Sequence, residues 1–231
     1  MISINLEKLK KLDFRTDEAY KTLRSNIKFC GDDVKTIVVT SCMMDEGKSS
    51  VAFNLAKSMA EAGNKVVFVD TDLRKSVIAG RYKVSKATNG LSHYLCGQCK
   101  LEEVTYATNV PNLSMIFSGP VPPNPAELIG NRYFADMIAK LREENDYVIV
   151  DTPPLGSVID SAIAAKVCDG AILVVAAKST SYKFAQRVKE QLEKTGCRIL
   201  GVVLNKVNMG ERGGYYGKYY GKGYGSYYGD K

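Results

Sequence analysis

Three short segments and a tail hold the residues of this 231-residue chain that could do chemistry. Ser41-Cys-Met-Met-Asp-Glu-Gly-Lys-Ser-Ser50 follows an apolar run and opens a helical pattern. In that setting, backbone N–H groups at a helix start can cradle phosphate oxygens, aided by the helix dipole. Lys48 would neutralise charge on the β- and γ-phosphates, and the Ser49 hydroxyl would bind Mg2+. The loop departs from the G-x-x-x-x-G-K-[ST] spacing because Cys42 stands where the first glycine belongs.

Carboxylates end two further apolar runs. Val66-Val-Phe-Val-Asp-Thr-Asp-Leu-Arg74 carries Asp70 and Asp72, and Tyr147-Val-Ile-Val-Asp-Thr-Pro-Pro154 carries Asp151. An aspartate at a strand end often does no more than start a turn. Three of them beside a phosphate loop form a Mg2+ and general-base constellation, because open α/β sheets bind ligands at the carboxyl ends of their strands. Asp151 suits a ligand of the metal or its water. Asp70 could accept the proton of an attacking hydroxyl, and Asp72 could hold a water on Mg2+. Nothing in the residues decides between those last two roles. Arg74 and Lys75 follow and could stabilise transferred charge or bind an acidic partner.

Seven of the fourteen tyrosines crowd the end of the chain: Tyr215, Tyr216, Tyr219, Tyr220, Tyr224, Tyr227 and Tyr228. Glycine fills most of the gaps, and no aliphatic residue follows Met209. Such a segment cannot build a core and is expected to be disordered. Residues 1–208 are expected to form one nucleotide-binding domain and residues 209–231 a tail. Phenols on a flexible tail, beside a phosphate loop, suggest an enzyme and its own substrate in one polypeptide.

The elements that must position these groups alternate between two patterns. Runs 34–40, 65–70, 146–151, 170–176 and 198–204 are short, apolar on both faces and rich in β-branched residues, as helix-covered parallel strands must be. Residues 112–117 are a further strand candidate. Helical patterns cover 49–62, 126–144, 160–167 and 182–195, and an extra helix over 16–29 precedes the first core strand. The alternation predicts an α/β fold: a doubly wound, mainly parallel sheet flanked by helices. Gly119-Pro-Val-Pro-Pro-Asn-Pro125 must be a loop.

Taken together, these motifs resemble the bacterial tyrosine kinases of capsular and exopolysaccharide assembly. These are deviant P-loop ATPases related to MinD and ParA, and the resemblance covers nearly the whole chain. Residues 41–50 match the Walker A motif, 66–74 the hydrophobic-Asp-x-Asp-x-Arg motif and 147–154 the Walker B motif; the tyrosine tail matches the autophosphorylation cluster. The resemblance implies ATP and Mg2+ as cofactors, held by Asp45, Glu46, Gly47, Lys48, Ser49 and Ser50. Lys48, Asp70, Asp72 and Asp151 would be the catalytic set, and Ser49, Asp72 and Asp151 the metal set. Asn205 lies where these ATPases bring an amide to the adenine, although an Asn at a strand end is equally at home in a turn. Met44-Asp45 replaces the usual Pro-Gly, which sets a negative charge near the phosphates.

Glu18, Lys21 and Arg24 match the family's E-x-x-R-x-x-R, which mediates ring-shaped self-association. Read by themselves they would be a solvated helix face with an ion pair. Lys21 replaces an Arg and so loses its bidentate fork. The implied partners are a transmembrane polysaccharide copolymerase-type activator, a cognate phosphotyrosine phosphatase and further copies of the chain. The implied activity is phosphorylation of the tail tyrosines in trans, which would regulate capsular or extracellular polysaccharide synthesis and export. The implied location is cytoplasmic, at the inner membrane face through the activator.

Composition bounds these expectations. A net charge of +7 without a long basic run is ordinary solvation or a modest preference for acidic partners. No nucleic acid is expected as a partner. No stretch approaches the roughly 20 apolar residues of a membrane span, and the first residues lack a signal-peptide pattern. Cys30, Cys168 and Cys197 read as small buried hydrophobes. Cys96-Gly-Gln-Cys99 is a lone pair in a loop, and His93 is the only histidine. Two other readings remain. A MinD- or ParA-like partner-switching ATPase would share the loop and the aspartates but use water as acceptor. A binding module with a sticky Tyr/Gly tail would resemble some RNA binders.

Overall fold

The structure is a computed structural model that describes residues 2–7, 9, 11–84 and 89–208. The tyrosine-rich tail, with its expected disorder, lies outside the described residues.

The elements in chain order are β1 (Ile2–Ser3), α1 (Phe14–Phe29), β2 (Thr36–Ser41), α2 (Lys48–Glu61), β3 (Val66–Asp70), α3 (Ile78–Arg81), α4 (Leu91–Leu95), α5 (Leu101–Val104) and β4 (Thr105–Ala107). Then follow β5 (Leu113–Ile116), α6 (Pro125–Ile129), α7 (Arg132–Glu144), β6 (Tyr147–Asp151), α8 (Asp160–Ala165), β7 (Gly170–Ala176), α9 (Tyr182–Glu193) and β8 (Arg198–Asn205). They form one sheet in the order β1-β4-β5-β3-β6-β2-β7-β8. The six strands from β5 to β8 run parallel; β4 pairs antiparallel with β5, and β1 pairs parallel with β4.

Each central strand is buried on both faces, and its residues alternate between two layers. Ile37, Val39, Phe68, Ile149 and Ile172 pack with Phe53, Leu55 and Met59 of α2. Val38, Val67, Val69, Val150 and Leu173 pack with Phe134, Ile138 and Leu141 of α7 and with Val188 and Leu192 of α9. That arrangement explains the unbroken aliphatic runs.

The expected doubly wound fold is present, with local corrections. The single helix expected over 126–144 is two helices. Asn131 leaves the helical region (φ −82°, ψ 166°) and its side chain accepts the Phe134 N–H at 3.0 Å, so it caps a new helix. β1, β4 and the short α3, α4 and α5 carry too few residues for a periodic signal. Cys197 is buried as expected, whereas Cys30 and Cys168 are partly exposed.

The sheet order decides where the site must lie. The chain runs outward from β2 to β3 and β5, then returns to insert β6 between β3 and β2. The carboxyl ends of β2, β3 and β6 are therefore side by side, where open α/β sheets place their ligands.

Candidate active site

The loop expected to bind phosphate leaves β2 at Ser41, whose hydroxyl donates to the Met43 carbonyl at 2.8 Å. Two residues take left-handed backbone conformations: Asp45 (φ 61°) and Gly47 (φ 87°). Between them the Glu46 side chain turns into the interior, only 1% exposed. Its carboxylate accepts from the Met43 N–H (2.8 Å), the Ala176 N–H (3.1 Å) and the Thr180 hydroxyl (2.5 Å). Glu46 thus ties the loop to the end of β7, and its carboxylate is not free for a ligand.

The far end of β8 holds the same loop. The Asn205 amide donates to the Glu46 carbonyl at 2.9 Å, and the Lys206 ammonium donates to the Asp45 carbonyl. A Cβ on Gly47 would stand 2.2 Å from Asn205 Nδ2, so glycine is required here by contact as well as by φ. The Met44-Asp45 departure therefore keeps a left-handed turn at the second position, with Asp bearing the strain that Gly would not.

Lys48 begins α2 and is buried. Its Nζ lies 3.1 Å from Ser49 Oγ, 3.5 Å from Asp72 Oδ2 and 3.6 Å from Asp151 Oδ1. Asp151 is 1% exposed, and neither of its carboxylate oxygens has a hydrogen-bond partner among the described residues. Burial raises its carboxyl above the usual range, and the Lys48 charge opposes the rise. Thr71 gives both its N–H (2.8 Å) and its hydroxyl (2.7 Å) to the Asp151 carbonyl, which fixes the ends of β3 and β6 together.

Asp70 and Asp72, two residues apart, have different surroundings. Asp70 is fully buried; one oxygen accepts the Ser76 hydroxyl and the other the Asp72 N–H at 3.2 Å. Burial first, then the nearby Asp151 charge, pushes its carboxyl up to about 7. Asp72 presents Oδ2 to Lys48, while Oδ1 accepts the N–H groups of Arg74 (3.3 Å) and Lys75 (2.9 Å). Beside it opens a cleft of about 220 Å3 lined by Asp72, Leu73, Lys75, Ser76, Gly119 and Val121, among others.

The structure thus brings Lys48, Ser49, Asp70, Asp72 and Asp151 together. Ser50 points elsewhere, its hydroxyl accepting from Arg81 at 2.6 Å. Arg74 is not free for a transferred phosphate, because its guanidinium grips Asp160 through two bonds of 2.8 and 3.0 Å. Asp160, Thr71, Thr180 and Lys206 had no mark in the sequence; only tertiary contact makes them part of the site.

The proposed self-association face divides. Lys21 pairs with Glu18 and Asp17, both at 2.8 Å, on an exposed surface. Arg24 turns inward instead and donates to the Ser58 carbonyl (2.6 Å) and hydroxyl (3.2 Å) of α2.

Comparison with known proteins adds a family to this geometry. The AAA domain family matches residues 34–200. The tyrosine-protein kinase CpsD of Streptococcus agalactiae serotype III is 43% identical over 194 residues, 84% of each chain. The chain belongs to the bacterial tyrosine-protein kinase family. Among solved structures, the chimerical protein CapA2B2 superposes with this kinase-family fold at a TM-score of 0.81, with 34% identity, covering 90% of this chain and 94% of its own. The septum site-determining protein MinD of Pyrococcus horikoshii, complexed with Mg-ADP, gives a TM-score of 0.67 at 28% identity, covering 77% and 72%. Both neighbours thus share the overall fold of this chain. No helix among the described residues is long and apolar enough to cross a membrane.

Proposed function

We propose that this kinase family member transfers the γ-phosphoryl group of ATP to tyrosines of its own C-terminal segment. The observation that carries the reading is the position of Lys48, between Asp72 and an Asp151 whose buried carboxylate is unpaired by hydrogen bonds. A buried carboxylate without donors is costly unless a cation or its bound water satisfies it. The residues fit Mg2+, with Asp151, Asp72 and the Ser49 hydroxyl as its holders. Among the described residues no group of three His, Cys, Asp or Glu side chains is placed to hold a metal by itself, so the ion would have to complete its shell with water and phosphate oxygens. When bound, Mg2+ would neutralise charge on the β- and γ-phosphates.

The protein's own contribution is positioning and charge. Loop N–H groups from Asp45 to Ser49 receive the phosphates, and Lys48 meets the charge that develops between the β- and γ-phosphates. Asn205 is already fixed by its amide N–H, so its Oδ1 is the atom that can accept from the adenine amino group. The phenol oxygen attacks the γ-phosphorus, the bond to the β-phosphate oxygen breaks and ADP leaves. The phenol proton goes to Asp72, which lines the open cleft. Asp70, the other candidate base, is fully buried and does not line that cleft.

Tail tyrosines would reach this site at high effective concentration. Several phosphates would turn a basic tail acidic and break an assembly built on it. We assign the activator, the phosphatase, the ring, the recruitment to the inner membrane face and the control of polysaccharide export to the same reading, on the strength of the family. The likeness to MinD supports one rival, an ATPase with water as acceptor.

The test is phosphopeptide mapping after incubation with Mg-ATP. A Lys48→Met acceptor mixed with a donor truncated after Asn208 asks whether transfer runs between chains. Phosphate on Tyr215–Tyr228 of the acceptor supports transfer between chains onto the tail. Phosphate only on intact wild-type chains, at a rate independent of concentration, limits it to transfer within one chain. ATP hydrolysis with no phosphotyrosine, activator present, favours the rival.

A further inference from the structure

We propose that Asp160 is a positioning residue for phosphoryl transfer, acting through Arg74 to hold Asp72 against Lys48. The proposal rests on the kinase reading and deepens it.

The chain of contacts is short. Asp160 lies in the first turn of α8, 1% exposed, and takes the Arg74 guanidinium in a fork of 2.8 and 3.0 Å. Such a bidentate pair fixes the plane of both groups. The Arg74 backbone and that of Lys75 donate in turn to Asp72 Oδ1 at 3.3 and 2.9 Å. With Oδ1 held, Oδ2 faces Lys48 Nζ at 3.5 Å. Anchoring Arg74 therefore sets the turn that sets the Asp72 rotamer.

The other end of the pair is anchored too. Ser161, the next residue, donates its hydroxyl to the Pro153 carbonyl, and Thr40 donates to the same carbonyl at 3.0 Å. Pro153 lies two residues beyond Asp151. Asp160 thus stands where the loop after β6 is fixed to the end of β2, and Arg74 brings the loop after β3 to that point. Three segments that carry Lys48, Asp72 and Asp151 are referenced to one another through this pair. An ordinary surface ion pair would leave both partners exposed; here the carboxylate is buried and only the arginine reaches solvent.

The expected signature is a loss in turnover without a matching loss of nucleotide affinity. In the kinase reading the loop amides and Lys48 receive the phosphates and Asp151 and Ser49 still hold Mg2+, so a shifted Asp72 should weaken Mg-ATP binding little. Asp160→Asn should lower the rate of phosphotyrosine formation at saturating Mg-ATP about 10-fold or more, and change the half-saturating ATP concentration less than about 3-fold, because a misplaced catalytic group costs turnover rather than ground-state binding. Arg74→Lys should show the same pattern more mildly, since it keeps the charge and loses the fork. The double variant should be no slower than the worse single variant, because residues acting as one unit are not additive.

The wild-type chain is the control for the reading beneath. If it forms no phosphotyrosine, the kinase reading fails. If wild type is active and Asp160→Asn turns over within about 2-fold of it, the positioning proposal is overturned and the kinase reading stands. Independent, additive losses from the two variants would also overturn it. Should Asp160→Asn not fold, Arg74→Lys decides: a fall in turnover at unchanged ATP half-saturation supports the proposal, and unchanged turnover contradicts it.

Discussion

Asp70 and Asp151 are register partners at the ends of adjacent parallel strands, β3 and β6. Two buried carboxylates are thereby placed side by side, and their charges oppose one another. The Lys48 ammonium sits close to Asp151, and the Ser76 hydroxyl answers Asp70. The fold accepts this electrostatic cost at the place where a polyphosphate and its cation would be received.

Stability should therefore depend on pH through Asp70. Burial and the Asp151 charge raise its carboxyl from an ordinary value near 3.8 to about 7. A raised acid binds its proton better in the folded state, so its contribution is fully present below the unfolded value and is lost as pH rises through about 7. With divalent ions chelated and no nucleotide, thermal unfolding should show the wild type losing stability between pH 5 and pH 8. Asp70→Asn should lose less over that range and be the more stable protein at pH 8. Equal slopes for the two proteins would contradict this origin.

Lys48→Met should destabilise the protein as well as silence it. It leaves Asp72 and the 1% exposed Asp151 without their cation. Removing one partner of a buried pair costs on the order of 3 kcal/mol. The deficit should shrink as pH falls, because burial raises the Asp151 carboxyl and, once protonated, that group no longer needs the ammonium. Denaturant unfolding at pH 5 and pH 8 measures both effects, and a pH-independent deficit would point to lost packing instead.

Asp45→Gly should strengthen the phosphate loop. Asp45 holds φ 61°, a region that suits glycine. Relief of that strain, offset by the greater freedom of an unfolded glycine, should stabilise by up to about 1 kcal/mol. If the loop receives the phosphates as proposed, removing this carboxylate should also tighten Mg-ATP binding several-fold, by about 1 kcal/mol at a solvent-screened position. Calorimetric titration of a non-hydrolysable ATP analogue checks the second effect; weaker binding would mean that Asp45 itself assists the nucleotide or metal.

Arg24→Ala and Lys21→Ala should part company. Arg24 donates to the Ser58 carbonyl on α2, and loss of a charge-assisted bond costs about 1.5–3 kcal/mol. Lys21 makes only exposed ion pairs, whose loss should leave stability almost unchanged. Thermal unfolding together with light scattering separates the roles. If both variants keep full stability and only the assembly size falls, Arg24 serves an interface rather than the α1–α2 contact.

Much of this site was legible in the residues because its parts are local. Gly47-Lys48-Ser49 needs only a strand before it and a helix after it. Asp70 and Asp151 end aliphatic runs that only a helix-covered parallel sheet can bury. What stayed hidden depends on distant chain segments. Glu46 reads as one more loop acid, yet it is a brace to Thr180, 134 positions away. Arg74 reads as a free cation until Asp160, 86 positions on, is folded against it. Arg24 belongs to a three-residue pattern, yet its partner on α2 takes it off the exposed face. The break at Asn131 leaves no trace in the pattern because apolar spacing continues across it while the cap is a single side chain.

The most direct measurement of the central claim is the intact mass of the whole chain after incubation with Mg-ATP. It would be run alone, with a candidate activator's cytoplasmic segment fused to it, and as Lys48→Met. The account expects added mass in steps of one phosphoryl group, mapping to tyrosines between Tyr215 and Tyr228 and absent from the Lys48→Met chain. ATP consumed with the mass unchanged, in the presence of a bound activator, would contradict it and leave a phosphate loop that serves hydrolysis.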